Sequence, residues 1–352
     1  MTATGRIEQS TPSMTATPRP VAPPGEKTMS SPALSAAMLT PFQGAWRPRG
    51  DGATDSSPPE DTPASTPSPS PSIPAVAPPW QLTGDVYFFS WWSRSTQLPA
   101  HAYSPLEAGS EFAAAASGRP VGGLGMIQIL RYRDSPVGPY DEMLVVPGSF
   151  DWSRDTSAGR PAGGGRNPRI SRIYVSQERS CYNGRLNWNT PKPLARFDWH
   201  FGPGGAVTVK VYPHDTHGDA SEAQPSAVPF FQATWAPIRF VPAFPFATGW
   251  VNRLGLDTTL VMPPLPRGQG SRGELPGTDA WCSLVPNQYS RRTRLGWFDI
   301  AQPEAADDDA APEHYPNFWP GLRRWQLGLK MENADLRFDL PIDVWRPQRA
   351  NL

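Results

Sequence analysis

The sequence lacks several features that mark common classes of protein. Its 32 basic and 32 acidic residues leave no net charge, so electrostatics give no reason to expect nucleic acid or an anionic membrane surface as a partner. It has no continuous apolar run of about 18 residues, so no membrane span is predicted. The first residues also lack the basic, apolar and small-residue order of a signal peptide.

Cysteine and lysine are scarce as well. Cys181 and Cys282 are the only cysteines, which is too few for a disulfide framework in a chain of this length, and a reducing, cytoplasmic location is expected. Lysine occurs four times among the 32 Lys and Arg residues. Each lysine therefore needs an explanation of its own.

Proline and tryptophan divide the chain. Residues 1–79 hold 17 of the 45 prolines, with much Ser, Thr and Ala, and such a composition favours a disordered tail because it offers little apolar surface to bury. Of the 14 tryptophans, 13 lie at residue 80 or beyond, and large aromatic side chains supply much of a buried core. The sequence predicts a disordered tail over 1–79 and a folded domain over 80–352.

The folded part shows the patterns of strands. Short β-branched and aromatic runs, several alternating with period two, indicate strands, and long helical periodicity is scarce. We therefore expect a mainly β domain of antiparallel strands, as a barrel or sandwich, with a few short helices. The predicted strands are 85–92, 125–132, 142–148, 171–176, 206–213, 325–331 and 335–341, and the predicted helices are 109–118 and 177–188.

The lysines separate by context. Lys27 lies in the tail, and Lys210 and Lys330 fall on the faces of alternating strands that are predicted to be polar and solvated. Lys192 differs, because it follows a predicted short helix and stands between two prolines. Proline fixes its own backbone angle and restricts the preceding residue. A solvated surface lysine needs no such restriction, so the pattern leaves both a functional and a surface reading open.

Two segments resemble a known family. The stretch GRLNWNTPKPLA (184–195) resembles the acetoacetate decarboxylase family's Gly-Arg-Glu, short spacer and Pro-Lys, and SPVGPYDEMLVVPG (135–148) resembles its segment around Tyr-x-Glu. The order and separation of the segments also agree with that family. The resemblance is to a fungal-type member with a Pro/Ser-rich N-terminal tail. It implies an acetoacetate decarboxylase-like antiparallel β-barrel or cone.

The resemblance also implies a chemistry. In that family a lysine condenses with a ketone to form a Schiff base, which acts as an electron sink for loss of carbon dioxide. Carried over residue by residue, Lys192 is the candidate Schiff-base lysine and Glu142 the candidate acid/base carboxylate. Tyr140, Arg185 and Trp188 are the candidate substrate-binding residues. The implied ligand is a small keto acid or ketone, without a metal or other cofactor.

Two departures from the family pattern bear on the reaction. Pro193 stands where the family's decarboxylase has a second lysine, and Leu186 replaces the acidic residue after Gly-Arg. A neighbouring positive charge would disfavour the ammonium form of Lys192. Without that second lysine, burial has to disfavour the ammonium form, and Trp188 and Leu194 are the apolar neighbours expected to bury it. A Schiff-base aldolase or dehydratase, and a non-catalytic binding protein on the same fold, remain alternatives to decarboxylation. A homo-oligomer is left open.

Other candidate chemistry is weaker. His214, Asp215 and His217 lie close in sequence without a third patterned metal ligand elsewhere, and catalytic metal sites usually need three protein ligands. Cys181 has no patterned histidine partner, which favours a small buried side chain over a nucleophile. Neither a metal site nor a cysteine nucleophile is predicted.

Overall fold

A computed structural model describes residues 73–94, 98–154, 162–214, 224–302 and 318–346. The described part is dominated by antiparallel strands and contains three α-helices, so the predicted fold class, mainly β with few short helices, is confirmed. The strands are β1 Trp80–Ser93, β2 Pro120–Asp134, β3 Tyr140–Val146, β4 Ser149–Arg154, β5 Gly163–Pro168, β6 Arg172–Val175, β7 Ala195–Phe201, β8 Val207–Pro213, β9 Phe231–Pro237, β10 Phe244–Ala247, β11 Leu260–Met262, β12 Trp281–Leu284, β13 Asn287–Asp299, β14 Trp325–Phe338 and β15 Asp343–Trp345. The helices are α1 Pro105–Ala108, α2 Glu178–Trp188 and α3 Thr248–Arg253.

A twelve-stranded sheet forms the main body of the described chain. Its path runs β5-β4-β2-β1-β14-β13-β9-β8-β7, with β10 paired to β13, and β3 paired to both β2 and β6. A second, three-stranded sheet has the order β11-β12-β15. The described part buries two large apolar cores, and a smaller apolar cluster of Val261, Trp281 and Trp345 belongs to the three-stranded sheet.

The strands β3 and β6 separate these cores. Leu144 and Ile173 belong to the first core, whereas their neighbours Met143 and Tyr174 belong to the second. This division follows from the period of two, since successive side chains of a strand point to opposite faces. Both faces are apolar here, and for that reason β3 reads in sequence as a nearly continuous apolar run.

The C-terminal strand corrects one expectation. The two predicted strands 325–331 and 335–341 form one strand, β14, which contains a register shift against β1 and a left-handed residue, Asn333, at φ 48°. Lys330, predicted to be solvated, is largely buried: it pairs with Asp85 at 3.4 Å and lies 5.1 Å from the ring of Tyr87. The prediction was wrong because the second core covers this face of β14.

The end of the predicted tail also contacts the domain. Residues 1–72 lie outside the described residues, but 73–79 are described and approach α2. The Val76 N–H donates to Asn183 Oδ1 at 2.6 Å, and Asn183 Nδ2 donates to the Pro74 carbonyl at 3.0 Å. The indole of Trp80 donates to the Val76 carbonyl at 3.1 Å. The segment just before residue 80 is therefore attached to the folded part.

Candidate active site

The loop that carries Lys192 is fixed at both ends. At the start of α2, the side chain of Gln177 accepts a hydrogen bond from the Ser180 N–H at 3.0 Å, as an N-cap does. At its end Asn189 adopts the left-handed conformation (φ 51°), which asparagine tolerates better than most residues. The Pro193 carbonyl then accepts from the Val175 N–H of β6 at 3.1 Å. The backbone of Lys192 thus has little freedom.

The stem of Lys192 packs against the helix. A Cβ atom at Gly184 would lie 2.7 Å from both Cδ and Cε of Lys192 and 2.9 Å from Thr190 Oγ1. The φ angle of Gly184 is ordinary for a helix, so glycine is required here for space. On the same side, the thiol of Cys181 donates to the Lys192 carbonyl at 2.8 Å. Helix and loop together aim the amine at β3.

The amine of Lys192 meets the carboxylate of Glu142. Nζ lies 2.7 Å from Glu142 Oε2 and 3.3 Å from Ser180 Oγ. The two charged side chains are 7% and 3% exposed, so the pair has almost no contact with bulk water. The hydroxyl of Tyr132 donates to the other carboxylate oxygen of Glu142 at 3.3 Å. Residues 50 positions apart in sequence thus form one buried group.

Two tyrosines complete this cluster. The ring centroid of Tyr140 lies 5.5 Å from Lys192 Nζ and 4.5 Å from that of Tyr132. Burial, and after it the negative charge of Glu142, raises the pKa of both phenols well above their ordinary value. Both phenols therefore stay protonated at neutral pH, and that of Tyr132 donates to the carboxylate.

The amine and the carboxylate line a cavity of about 380 Å³. Its walls come from β1, β2, β3, β6, the loop after α2, and the segments around α3 and Gln288, and most of the lining side chains are apolar or aromatic. Trp188 is part of the wall, held by a hydrogen bond from its indole to the Asp339 carbonyl at 2.8 Å and by an edge contact with Trp80. A mainly apolar cavity with a few polar groups is the usual form of a small-molecule site.

Of the five residues predicted for the site, the structure brings four together. Lys192, Glu142, Tyr140 and Trp188 all line the cavity, whereas Arg185 does not. Leu194, predicted to cover the amine, is buried in the adjoining core but is not part of the lining.

Arg185 occupies a different place. Its guanidinium is fully buried, pairs with Glu107 at 2.8 Å, and donates to the carbonyls of Pro266 and Pro276 at 2.7 and 3.0 Å. Glu107 is further held by Ser104. Since Nε and both terminal nitrogens of Arg185 are engaged with the protein, a substrate-binding role does not fit this arrangement. The residue ties α2 to α1 and to the segment 266–276 instead.

Sequence reasoning missed Ser180 and Tyr132. No motif marks Ser180, whose position depends on the cap at the start of α2. Tyr132 could have been found, because the predicted strands 125–132 and 142–148 flank a turn-rich segment, and strands so connected commonly pair as a hairpin. The register sets Tyr132 opposite Tyr140, one step from Glu142.

Two searches over the described residues bear on other classes of site. No group of three or more His, Cys, Asp or Glu side chains is arranged to hold a metal ion there. No helix in that part of the chain is long and apolar enough to cross a membrane. His214 falls within the described ranges, whereas Asp215 and His217 fall outside them.

The chain was compared with known proteins. No family model matches it. It is 32% identical over 74 residues to Protein NEOXANTHIN-DEFICIENT 1 of Arabidopsis thaliana, a match that spans 21% of this chain and 23% of that one. The chain thus spans about a quarter of the length of the curated relative that it matches.

Solved structures show a likeness of fold. The acetoacetate decarboxylase of Legionella pneumophila aligns with a TM-score of 0.46 and 11% identity over 79% of this chain and 91% of that one. A second acetoacetate decarboxylase structure aligns at 0.45 and 13% identity, covering 78% and 93%. MppR, an enduracididine biosynthesis enzyme bound to the condensation product of pyruvate and imidazole 4-carboxaldehyde, aligns at 0.39 and 14% identity, covering 80% and 98%.

Proposed function

We propose that the protein is a Schiff-base-forming enzyme that acts on a β-keto acid or a related ketone through Lys192. The observation that carries the proposal is the 2.7 Å contact between Lys192 Nζ and Glu142 Oε2 at the wall of an apolar cavity. A lysine must lose its proton before it can attack a carbonyl. Here a proton acceptor is in direct contact with the amine.

The sequence of steps follows from this contact. Glu142 takes the ammonium proton, the neutral amine adds to the substrate carbonyl, and Glu142 returns the proton so that the hydroxyl leaves as water. The product is a positively charged iminium between Nζ and the former carbonyl carbon. The phenol of Tyr132, which donates to Glu142, stabilises the carboxylate form of Glu142, which is present before the proton is taken and again after it is returned.

Decarboxylation is the favoured continuation. In a β-keto acid bound as the iminium, the bond to the carboxylate breaks, carbon dioxide leaves, and the electron pair forms an enamine. Glu142, reprotonated from solvent, then protonates the enamine carbon to restore the iminium, and water adds to it to release the ketone and the free amine. Apart from Lys192, the only cation among the described lining residues is Arg166, whose side chain is 72% exposed and bound to Asp151 at 2.8 Å. An apolar wall destabilises a carboxylate and favours its departure as neutral carbon dioxide.

A Schiff-base aldolase or dehydratase is the second candidate. It would use the same iminium and the same carboxylate, but would remove a proton from the carbon beside the iminium and add the enamine to an aldehyde. The roomy cavity supports this candidate, because a second reactant must fit beside the first. A binding protein without chemistry is the third candidate, and the trapping experiment separates it from both enzymes.

Reductive trapping tests the proposal. Acetone and borohydride at pH 7.5 should add an isopropyl group to Lys192, located by peptide mapping, and Lys192→Arg should remove it because a guanidinium forms no such imine. Glu142→Gln, which keeps a hydrogen bond to the amine but cannot accept its proton, should slow trapping by about 10²- to 10⁴-fold. Labelling spread over Lys210 and Lys330 without preference for Lys192 would contradict the proposal. Carbon dioxide release from β-keto acids then separates a decarboxylase from an aldolase.

A further inference from the structure

The cavity is elongated along β1 and β2. On β3 the side chains of Tyr140, Glu142, Leu144 and Val146 line it in steps of two, as one face of a strand must. The register sets Glu142 opposite Leu130 on β2, and the same face of β2 continues through Gln128 and Met126 to Leu124. Six residues of strand separate Leu130 from Leu124, a distance of about 20 Å.

Burial falls steadily along this line. Leu130 and Gln128 are 1% and 3% exposed, Met126 is partly buried, and Leu124 is 41% exposed. On β1, the partner of Leu124 is Trp92, at 65% exposure, and it too lines the cavity. The Lys192–Glu142 pair thus lies near the closed end of a channel whose mouth is at Trp92 and Leu124.

Among the exposed residues that line the cavity, Trp92, Leu124 and Leu256 are large and apolar, whereas Arg166 and Asp257 are charged. Leu256, from the segment after α3, is 42% exposed. Exposed large apolar side chains around a cavity mark a surface that meets an apolar ligand. A small keto acid bound at the closed end would gain nothing from these three apolar side chains.

The middle of the channel holds one polar feature. The side-chain amides of Gln128 and Gln288 bind each other reciprocally, at 2.9 and 3.1 Å, and both side chains are buried and line the cavity. Because the two side-chain amides hydrogen-bond to each other, they do not require a polar group of the substrate as a partner. Phe88 lies opposite Gln128, and one step nearer the mouth the wall is formed by Met126, Val146 and Ser90.

We propose that the substrate is a long-chain ketone or β-keto acid, whose carbonyl reaches Lys192 while its alkyl chain lies along the channel to Trp92 and Leu124. This proposal rests on the function proposed above and specifies its substrate class. The length of the channel, the fall in exposure and the three apolar side chains at the mouth carry it together. A four-carbon acid would occupy only the closed end.

Chain length is the variable to test. Methyl ketones from acetone through hexan-2-one to tridecan-2-one should trap on Lys192 at progressively lower concentrations, by roughly fourfold for each methylene that the channel buries. Tridecan-2-one should therefore reach half-maximal trapping at a concentration at least about 100-fold below that of acetone. Binding of tridecan-2-ol, an alcohol that forms no iminium, measures the channel independently of the reaction.

Variants locate the chain. Trp92→Asp at the mouth and Met126→Trp within the channel should each lower the tridecan-2-one to acetone preference by about tenfold or more, the cost of losing contact with a few methylenes. The matched control is Phe201→Asp, an aromatic of similar exposure (60%) on β7, outside the channel. It should leave the preference unchanged, and Trp92→Asp, being a surface change, covers the case in which Met126→Trp fails to fold.

Each outcome discriminates between the two proposals. Equal trapping of acetone and tridecan-2-one would overturn the long-chain substrate and leave the Schiff-base function standing. Binding of tridecan-2-ol with no labelling of Lys192 by any ketone would overturn the function and uphold an apolar-chain site. If neither labelling nor binding is seen, both proposals are overturned. If Phe201→Asp changes the chain-length preference as much as Trp92→Asp does, the assignment of the channel is overturned.

Discussion

Lys192 and Arg172 are buried cations on opposite sides of the β3–β6 ladder, and their surroundings differ. Lys192 faces a carboxylate and a cavity. Arg172 lies in the second core, where Nε donates to the Tyr174 hydroxyl at 2.6 Å and Nη1 to the His101 carbonyl at 2.8 Å. Its guanidinium also lies 4.0 Å from the ring centroid of Phe230. Burial alone therefore says nothing about whether a cation takes part in chemistry.

The difference lies in what each cation can exchange. A guanidinium keeps its proton in proteins, and its planar face suits aromatic rings and fixed carbonyls. An ammonium can give its proton to a neighbouring carboxylate and then act as a nucleophile. The surroundings of Arg172 are filled by aromatic rings and fixed hydrogen-bond acceptors. Those of Lys192 leave a proton acceptor and open volume beside the nitrogen.

The largest expected contrast comes from removing each cation in turn. Lys192→Met should abolish trapping, a loss of at least about 10³-fold, because no amine remains. Arg172→Met should leave the trapping rate of the folded protein within about threefold of wild type, yet lower the free energy of unfolding by about 3 kcal/mol through unsatisfied polar groups. Denaturant unfolding and trapping, measured on the same samples, check both. Loss of trapping in fully folded Arg172→Met would break the comparison.

The free energy of unfolding should also fall in acid, because of a histidine in the second core. Burial, and after it the charge of Arg172, lowers the pKa of His101 to about 4, from about 6.5 in the unfolded chain. Between these values the unfolded state binds a proton that the native state does not, so stability declines as pH falls from about 6.5 to about 4, by on the order of 3 kcal/mol. Unfolding experiments at pH 7.5 and 4.5 measure this loss.

His101→Phe provides the control for acid sensitivity. The imidazole packs against the rings of Phe318 and Trp319, and a phenyl ring keeps those contacts without binding a proton. The variant should therefore lose about 3 kcal/mol less between the two pH values than the wild type. An equal loss in both proteins would assign the acid sensitivity to other groups.

Substitution of Gly184, behind Lys192, should have a larger effect than helix propensity alone predicts. Alanine at Gly184 must displace the lysine stem, so Gly184→Ala should slow trapping by about 10- to 100-fold, since small misplacements of a reacting group have effects of this size. Gly249→Ala in α3 is the matched control, because a Cβ there meets nothing within 4 Å. It should leave trapping unchanged and stabilise the fold slightly. Equal rates for both variants would show that the stem has room to move.

The smallest effect concerns the domain boundary. A chain that starts at residue 73 should unfold like the full-length protein, whereas one that starts at 80 should lose about 1–2 kcal/mol, because the buried amide of Asn183 loses its partners at Val76 and Pro74. Thermal unfolding of the two truncated chains decides this. Indistinguishable curves would restore residue 80 as the boundary.

Sequence patterns reached the strands and the central pair for definite physical reasons. Period-two alternation and β-branched runs report local preferences, and these located β1, β2, β3, β6 and β8. The two prolines beside Lys192 singled it out among four lysines. The association of Lys192 with Glu142 came from the resemblance of two segments of this chain to one family, because no local pattern connects residues 50 positions apart.

The remainder depended on tertiary contacts. Arg185 looked like a substrate ligand because its partner Glu107 lies 78 positions away, beyond any local pattern. Lys330 looked solvated because alternation cannot tell which faces of a sheet another layer will cover. Residues 73–79 resemble a tail in composition, yet two of them find specific partners on α2.

Gly184 and Lys192 are a steric unit, and this has a consequence for how the chain can change over time. The lysine stem occupies the space that a side chain at 184 would need, so any replacement of the glycine while the lysine remains pushes the amine out of line. Once the lysine is lost, only Thr190 Oγ1, 2.9 Å from the position of an added Cβ, still crowds that side of the helix, and alanine there would otherwise favour the helix. The glycine is therefore expected to be retained for as long as the lysine is, and loss of the lysine should relax most of the constraint on it.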